Sequence, residues 1–203
     1  MDYKKGIPLK RKRSYRDVKE TYLIICQGEN TEPVYFRSFK LTSADIKAIS
    51  KPEFTNILRF VEEAQKIKNQ YKNDYDNYWI VIDKDDNSDE DFNNAIALAK
   101  KYGFKVAYSN QAFEFWLILH FICHIGPMHR KNYKKILDKY LGFSYNKKLS
   151  TCKKLYNALL PFQGTAIKNA ETVYSKIGDH TNIAAEESST TVHELVKSLN
   201  RYL

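Results

Sequence analysis

Short, nearly continuous apolar runs alternate along this chain with longer stretches in which apolar residues recur at helical spacing. That alternation predicts βαβ units and therefore an α/β fold, a mostly parallel sheet flanked by helices. Thr21 to Cys26 (TYLIIC) reads as a central strand buried on both faces, ended by Gln27-Gly28. Asn30 or Thr31 is placed to cap a helix carrying Val34, Tyr35, Phe36 and Phe39, with Pro33 tolerated in its first turn. Asp45 to Ile49 is a weaker strand. Ile57, Phe60, Val61, Ala64 and Ile67 then point one way along a helix that covers the sheet.

Tyr78 to Ile82 (YWIVI) is the second strong strand and runs into Asp83-Lys84-Asp85-Asp86. Phe92, Ala95, Ile96 and Ala99 mark the next helix, closed by Gly103 as its C′ residue, and Lys105 to Tyr108 makes a last short strand. Phe113 to Cys123 is apolar enough for a buried helix with Glu114 in its first turn, where a helix favours negative charge. The remainder is predicted helical. Tyr133, Ile136, Leu137 and Tyr140 mark one element, and Cys152, Leu155, Tyr156 and Leu159 another. A terminal helix bears Val192, Leu195, Val196 and Leu199, with Thr191 and Glu194 spaced as a capping box.

No linker rich in Gly, Ser or Pro divides the 203 residues, so the expectation is one domain overall: a basic arm over 1–20, an α/β core over 21–125, and a helical C-terminal extension over 126–203 packed on it. An apolar content of 43% suffices for a sizeable core and excludes wholesale disorder. Three cysteines with no short pairing, Cys26 and Cys123 in apolar surroundings, predict buried thiols in a reducing compartment. Neither a secretory h-region nor an apolar run of membrane-spanning length is present, so the expected location is the cytoplasm, with no membrane partner.

The net charge is +9, and residues 1–20 contribute five of those charges through eight basic and three acidic side chains. Lys10, Arg11, Lys12 and Arg13 form a run able to neutralise phosphates, although a solvated tail has the same composition.

The most informative segment is YWIVIDKDD. A strand of bulky apolar residues delivers carboxylates to the carboxyl edge of a sheet, where open α/β folds bind ligands. Asp83 and Asp85, with Asp86 beside them, are candidate ligands for one hard cation, Mg²⁺ or Mn²⁺, bridging to a phosphate-containing substrate. Lys84 is a candidate phosphate contact. Gln27-Gly28-Glu29-Asn30-Thr31-Glu32 opens at the same edge if the two strands are parallel. Its acids can then complete the cation's shell or act as general acid/base, and the helix N-terminus can hold a phosphate oxygen; equally, Glu29 and Glu32 can merely satisfy the helix dipole. Glu114 is placed to sit beside the metal or orient a ligand. His120 reads as core, and His124, His129, His180 and His193 are too scattered for a zinc site.

Four blocks in this order resemble the RloB-like family: ICQGENTEPVYF after the first strand, YWIVIDKDD, SNQAFEFWLILHF over 109–121, and Ser189-Thr190-Thr191-Val192-His193 before the last helix. The resemblance spans 21–200. It implies a Toprim-like catalytic fold, as in topoisomerases, primases and overcoming-lysogenization-defect nucleases. It also implies metal-dependent cleavage of nucleic acid, DNA or tRNA, as the toxic effector of an antiphage abortive infection system of the AbiL type, working with an ATPase partner. In the family pattern a Glu usually stands just before the Gly as acid/base and metal-contacting residue; here it is Gln27, and an amide cannot exchange that proton or supply the charge. Three explanations follow: an inactive protein, rescue by Glu29 or Glu32, or a deliberate near-isosteric replacement. The alternative function is a catalytically silent module that docks on the ATPase or binds a phosphate ligand without turnover. A homo-oligomer is left open.

Overall fold

The computed structural model describes residues 19–72 and 74–203; the basic run Lys10, Arg11, Lys12 and Arg13 lies outside the described residues. Strands β1 (Glu20–Cys26), β2 (Ala44–Ser50), β3 (Asn77–Asp83) and β4 (Lys105–Asn110) pair in parallel, and a two-residue strand β5 (Ser189–Thr190) adds antiparallel to β4. The order across the sheet is β2-β1-β3-β4-β5.

The apolar runs are continuous because the sheet is covered on both sides. Leu23 and Ile25 of β1, with Ile80 and Ile82 of β3, face one core beneath α2 (Ile57–Gln70) and α3 (Asp89–Lys101). Tyr22, Ile24 and Cys26, with Trp79 and Val81, face the other. That side holds α1 (Thr31–Arg37), α4 (Glu114–Ile118), α5 (Tyr133–Leu141), α6 (Leu149–Leu159), α7 (Gln163–Ile177) and α8 (Val192–Asn200). All five apolar residues predicted to line one face of α2 are buried. Its N-terminus is closed by Asn56, whose side chain accepts from Arg59 N–H at 3.0 Å. Ser88 caps α3 in the same way, Asp89, Glu90 and Asp91 fill its first turn, and Gly103 follows its end at φ +74°. Truncating a side chain such as Phe60, wholly buried, would cost about 3–5 kcal/mol.

The structure corrects several expectations. Neither Asn30 nor Thr31 caps α1 through its side chain: Thr31 is the first helical residue, and its buried hydroxyl lies against Tyr145 and Cys152. The Thr191–Glu194 capping box does not form, because the Thr191 hydroxyl accepts from Tyr108 N–H at 3.0 Å and thereby stitches the last helix to β4. The helix expected over 113–123 is confined to Glu114–Ile118. The chain stays buried through His120 in a turn and only then leaves the core, so Cys123 is exposed, while Cys26 and Cys152 are buried and all three are free thiols. β4 is not the last strand. Thr190 Oγ1 donates to Tyr108 O at 2.9 Å, and Tyr108 and Ser189 both donate to the buried carboxylate of Glu186. The Ser-Thr-Thr block therefore serves to pin the C-terminal helices onto the sheet.

Candidate active site at the carboxyl edge of the sheet

Parallel pairing brings the turns after β1, β3 and β4 to one edge. Cys26 lies opposite Val81, Gln27 N–H bonds Val81 O at 3.1 Å, and Asp83 lies opposite Ser109. Beyond Asp83 the chain bends sharply: Lys84 N–H bonds Ser109 O at 3.0 Å, Asp85 N–H bonds Gln111 O at 2.9 Å, and Asp85 adopts φ +45°. A left-handed conformation costs a non-glycine residue roughly 1 kcal/mol, and Asp is among the residues that tolerate it best. The bend sets the Asp85 side chain where three cavities meet.

The central cavity, of about 250 Å³, is lined by Gln27, Gly28, Glu29, Glu32, Asp83, Asp85 and Lys147 among others. Glu32 reaches it because Gly28 has no side chain. A Cβ at position 28 would fall 2.1 Å from Glu32 Oε2. Glu32, Asp83 and Glu114 are all buried, 6–8% exposed. Asp83 Oδ2 accepts from Phe113 N–H at 3.1 Å, whereas its Oδ1 is buried with no partner. Glu114 accepts from Tyr145 Oη at 2.8 Å and from Lys147 Nζ at 2.9 Å.

The electrostatics follow from burial and like charge. Burial first, then Glu32, Asp85 and Glu114, push the Asp83 carboxyl well above the usual carboxylate range. Burial, with Glu114 and Asp85 adding to it, lifts Glu32 to about 7 against the pull of Lys147. Asp85 is raised by burial in spite of Arg130 and Lys147. For Lys147, burial of the ammonium lowers its pKa, but Glu114, Glu32 and Asp83 together more than reverse this. Its side chain is 65% exposed and pairs with the buried Glu114 from the cavity wall.

The other predicted residues divide. Glu29 lines the cavity from an exposed position. Gln27 turns its amide toward Phe54 O, at 3.5 Å. Asp86 is 90% exposed at the rim, and Arg130 bridges it to Asp85. Lys84 is drawn aside by Asp89, at 2.9 Å, and lines the neighbouring cavity with Asp85 and Asp86. His120 stays in the core, edge-on to Trp116, and burial lowers its pKa to about 4. Arg130, Tyr145 and Lys147 were missed by sequence reasoning. They come from the segments flanking α5, and no local pattern there pointed to a site.

The donor set has the chemistry, though not the assembled geometry, that a hard divalent cation takes. It offers carboxylate oxygens only, one of them buried without a partner, in a place where unneutralised negative charge is costly. Among the described residues, no three His, Cys, Asp or Glu side chains are grouped as ready-made metal ligands. Arg130 and Lys147 instead draw Asp85 and Glu114 toward themselves.

Fold and site together define an α/β protein with a carboxylate cleft at the carboxyl edge of a parallel sheet. A family model described as RloB-like protein matches residues 22–199, and the chain belongs to that family. No curated protein and no solved structure gives a significant match. No helix among the described residues is long and apolar enough to cross a membrane.

Proposed function

We propose that this RloB-like protein is a Toprim-type phosphodiesterase that uses Mg²⁺ or Mn²⁺ to cleave nucleic acid, DNA or tRNA. The observation that carries the reading is the packing of the Glu32 carboxyl against Gly28, which brings a carboxylate to the turn where Gln27 supplies none. Asp83, Asp85 and Glu32 would hold the cation, with Asp86 at the rim. The bound cation would neutralise charge on a phosphodiester and lower the pKa of water beside it. The chain's own contributions are positional: Phe113 N–H fixes Asp83, Lys147 and Tyr145 fix Glu114, and Arg130 stands at the entrance as a planar cation suited to a phosphate. Family membership further supports a role as the toxic effector of an abortive infection system, cytoplasmic and paired with an ATPase.

One observation favours a second reading. Gln27 presents a neutral amide to the cavity, its Nε2 3.5 Å from Phe54 O and its Oε1 buried without a partner. The protein would then be a docking or phosphate-binding module without turnover. Incubating the full chain and its Asp83→Asn variant with Mg²⁺ or Mn²⁺ and plasmid DNA, single-stranded DNA or total tRNA separates the two. The nuclease reading expects cleavage that falls about a hundredfold or more in the variant. Metal binding without cleavage of any substrate would leave the docking module.

A further inference from the structure

A second, wider cavity lies beside the carboxylate site. It is an open groove of about 830 Å³ between α5 and the segment 122–129. One face of α5 forms a wall, carrying Lys135, Ile136, Lys139 and Tyr140 at helical spacing, while Tyr133, Leu137 and Leu141 of the same helix are buried in the core. His124 and His129 belong to the facing wall. Every charged side chain lining the groove is basic. The one acid of α5, Asp138, turns away to accept from Tyr145 N–H at 2.6 Å and to pair with Lys134.

Two further features define the occupant. Tyr140 is 40% exposed and is held flat against Phe121, ring centroids 5.2 Å apart and planes within 9°, while Lys139 Nζ lies 5.2 Å from its ring centroid, so aromatic ring and ammonium are presented together to an occupant. The groove is also continuous with the site, because His129 lines both it and the cavity that contains Asp85, Asp86 and Arg130. Apolar and aromatic surface between lysines suits a chain of stacked bases joined by phosphates. A duplex hides its base faces and could use only the lysines.

We infer that this groove binds an unpaired stretch of nucleic acid, with bases on Tyr140 and Ile136 and phosphates on Lys135 and Lys139, and leads the strand to the carboxylate edge. The inference rests on the nuclease reading for where the strand goes, but not for whether it binds.

The test is binding of the full chain in EDTA to a fluorescent 12-nucleotide DNA, an RNA of the same sequence and the matching DNA duplex, across a salt series. Lys135→Glu/Lys139→Glu should weaken single-strand binding about tenfold or more and reduce the salt slope by about 1.4, or about 0.7 per lost contact. Tyr140→Ala should cost about tenfold on single strands and at most about twofold on duplex. A control, Lys153→Glu/Lys154→Glu on α6, should stay within about twofold of the parent. Thermal melts check that all variants fold. The inference is overturned if the groove variants bind single strands like the parent, if the control loses as much, or if the Tyr140→Ala loss is as large on duplex. Single-strand binding at the groove without cleavage under any metal would sink the nuclease reading and leave the groove. Cleavage that survives the groove variants unchanged would do the reverse.

Discussion

The Glu32 carboxyl lies over Gly28 so closely that a Cβ there would sit 2.1 Å from Oε2 and 2.2 Å from Oε1. Gly28 is not in the left-handed region, so the requirement for glycine comes from this approach and not from backbone conformation. The atoms in the way are the far end of the Glu32 side chain, which borders a cavity, so Gly28→Ala should displace that carboxyl and destabilise the protein by at most about 1 kcal/mol, the low end for overpacked positions. Adding Glu32→Ala should relieve most of that, leaving a coupling energy of about 0.5–1 kcal/mol in a urea-denaturation double-mutant cycle. Additive effects would mean that the two residues do not share the space.

The buried carboxylates lower stability at neutral pH and above, because burial and like charge raise their pKa. Glu32 rises from 4.5 to about 7 in the folded chain, so its contribution is fully present below pH 4.5 and is lost as pH rises through 7. Glu32→Gln should therefore stabilise the metal-free protein at pH 8 by on the order of 2 kcal/mol, and Asp83→Asn should act in the same direction. Under the nuclease reading both should lower cleavage by about a hundredfold or more. Melting temperatures in EDTA at pH 5 and pH 8 check the first claim, with the gain confined to the higher pH for Glu32→Gln.

Gln27→Glu replaces an amide donor to Phe54 O with an acceptor facing an acceptor and adds a carboxylate to a crowded edge. Metal-free stability should fall by about 1–2 kcal/mol. The melting temperature should then rise more on adding Mg²⁺ than it does for the parent. Equal metal shifts would place residue 27 outside the cation's reach.

Arg130 joins Asp85 to Asp86, the latter almost fully exposed, and such pairs are worth about 0.2–1 kcal/mol each. Arg130→Ala should leave stability nearly unchanged, tighten Mn²⁺ binding by about two- to fivefold in calorimetry, and weaken binding of nucleic acid. Unchanged metal affinity would show that the guanidinium does not compete for these carboxylates.

His120 tests the core reading. Its pKa falls from 6.5 to about 4 on folding because burial disfavours the imidazolium. The unfolded chain takes up a proton below pH 6.5 that the folded chain refuses, so this group removes stability as pH falls from 6.5 toward 4. The full effect is about 3 kcal/mol. Subtracting the urea stability curve of His120→Gln from that of the parent should isolate this slope, while cleavage stays at or near the parent rate.

Much of the fold was legible because it is written in local periodicity. TYLIIC and YWIVID could be recognised as doubly covered strands, and α2 and α3 as one-faced helices, from residues adjacent in sequence. Phe113 to Cys123 misled for the same reason: an apolar run records burial but not the conformation in which it is buried. The hydroxyls of Thr31 and Thr191 misled because each is taken by a tertiary partner, Tyr145 and Cys152 in one case and Tyr108 in the other, in preference to its own helix end.

By itself, the sequence determined the α/β class and the acids of the turns after β1 and β3, with a neutral amide, Gln27, ahead of Gly28. Those acids meet because two parallel strands end at one edge. Tertiary structure decided which acid of the first turn is buried, Glu32 and not Glu29, because that depends on the space above Gly28. It also brought in Arg130, Tyr145 and Lys147 from positions 31 to 45 residues away from the acids they contact. Like charges buried together must find opposing charge somewhere, and chain connectivity and packing, not local spacing, set which side chains supply it.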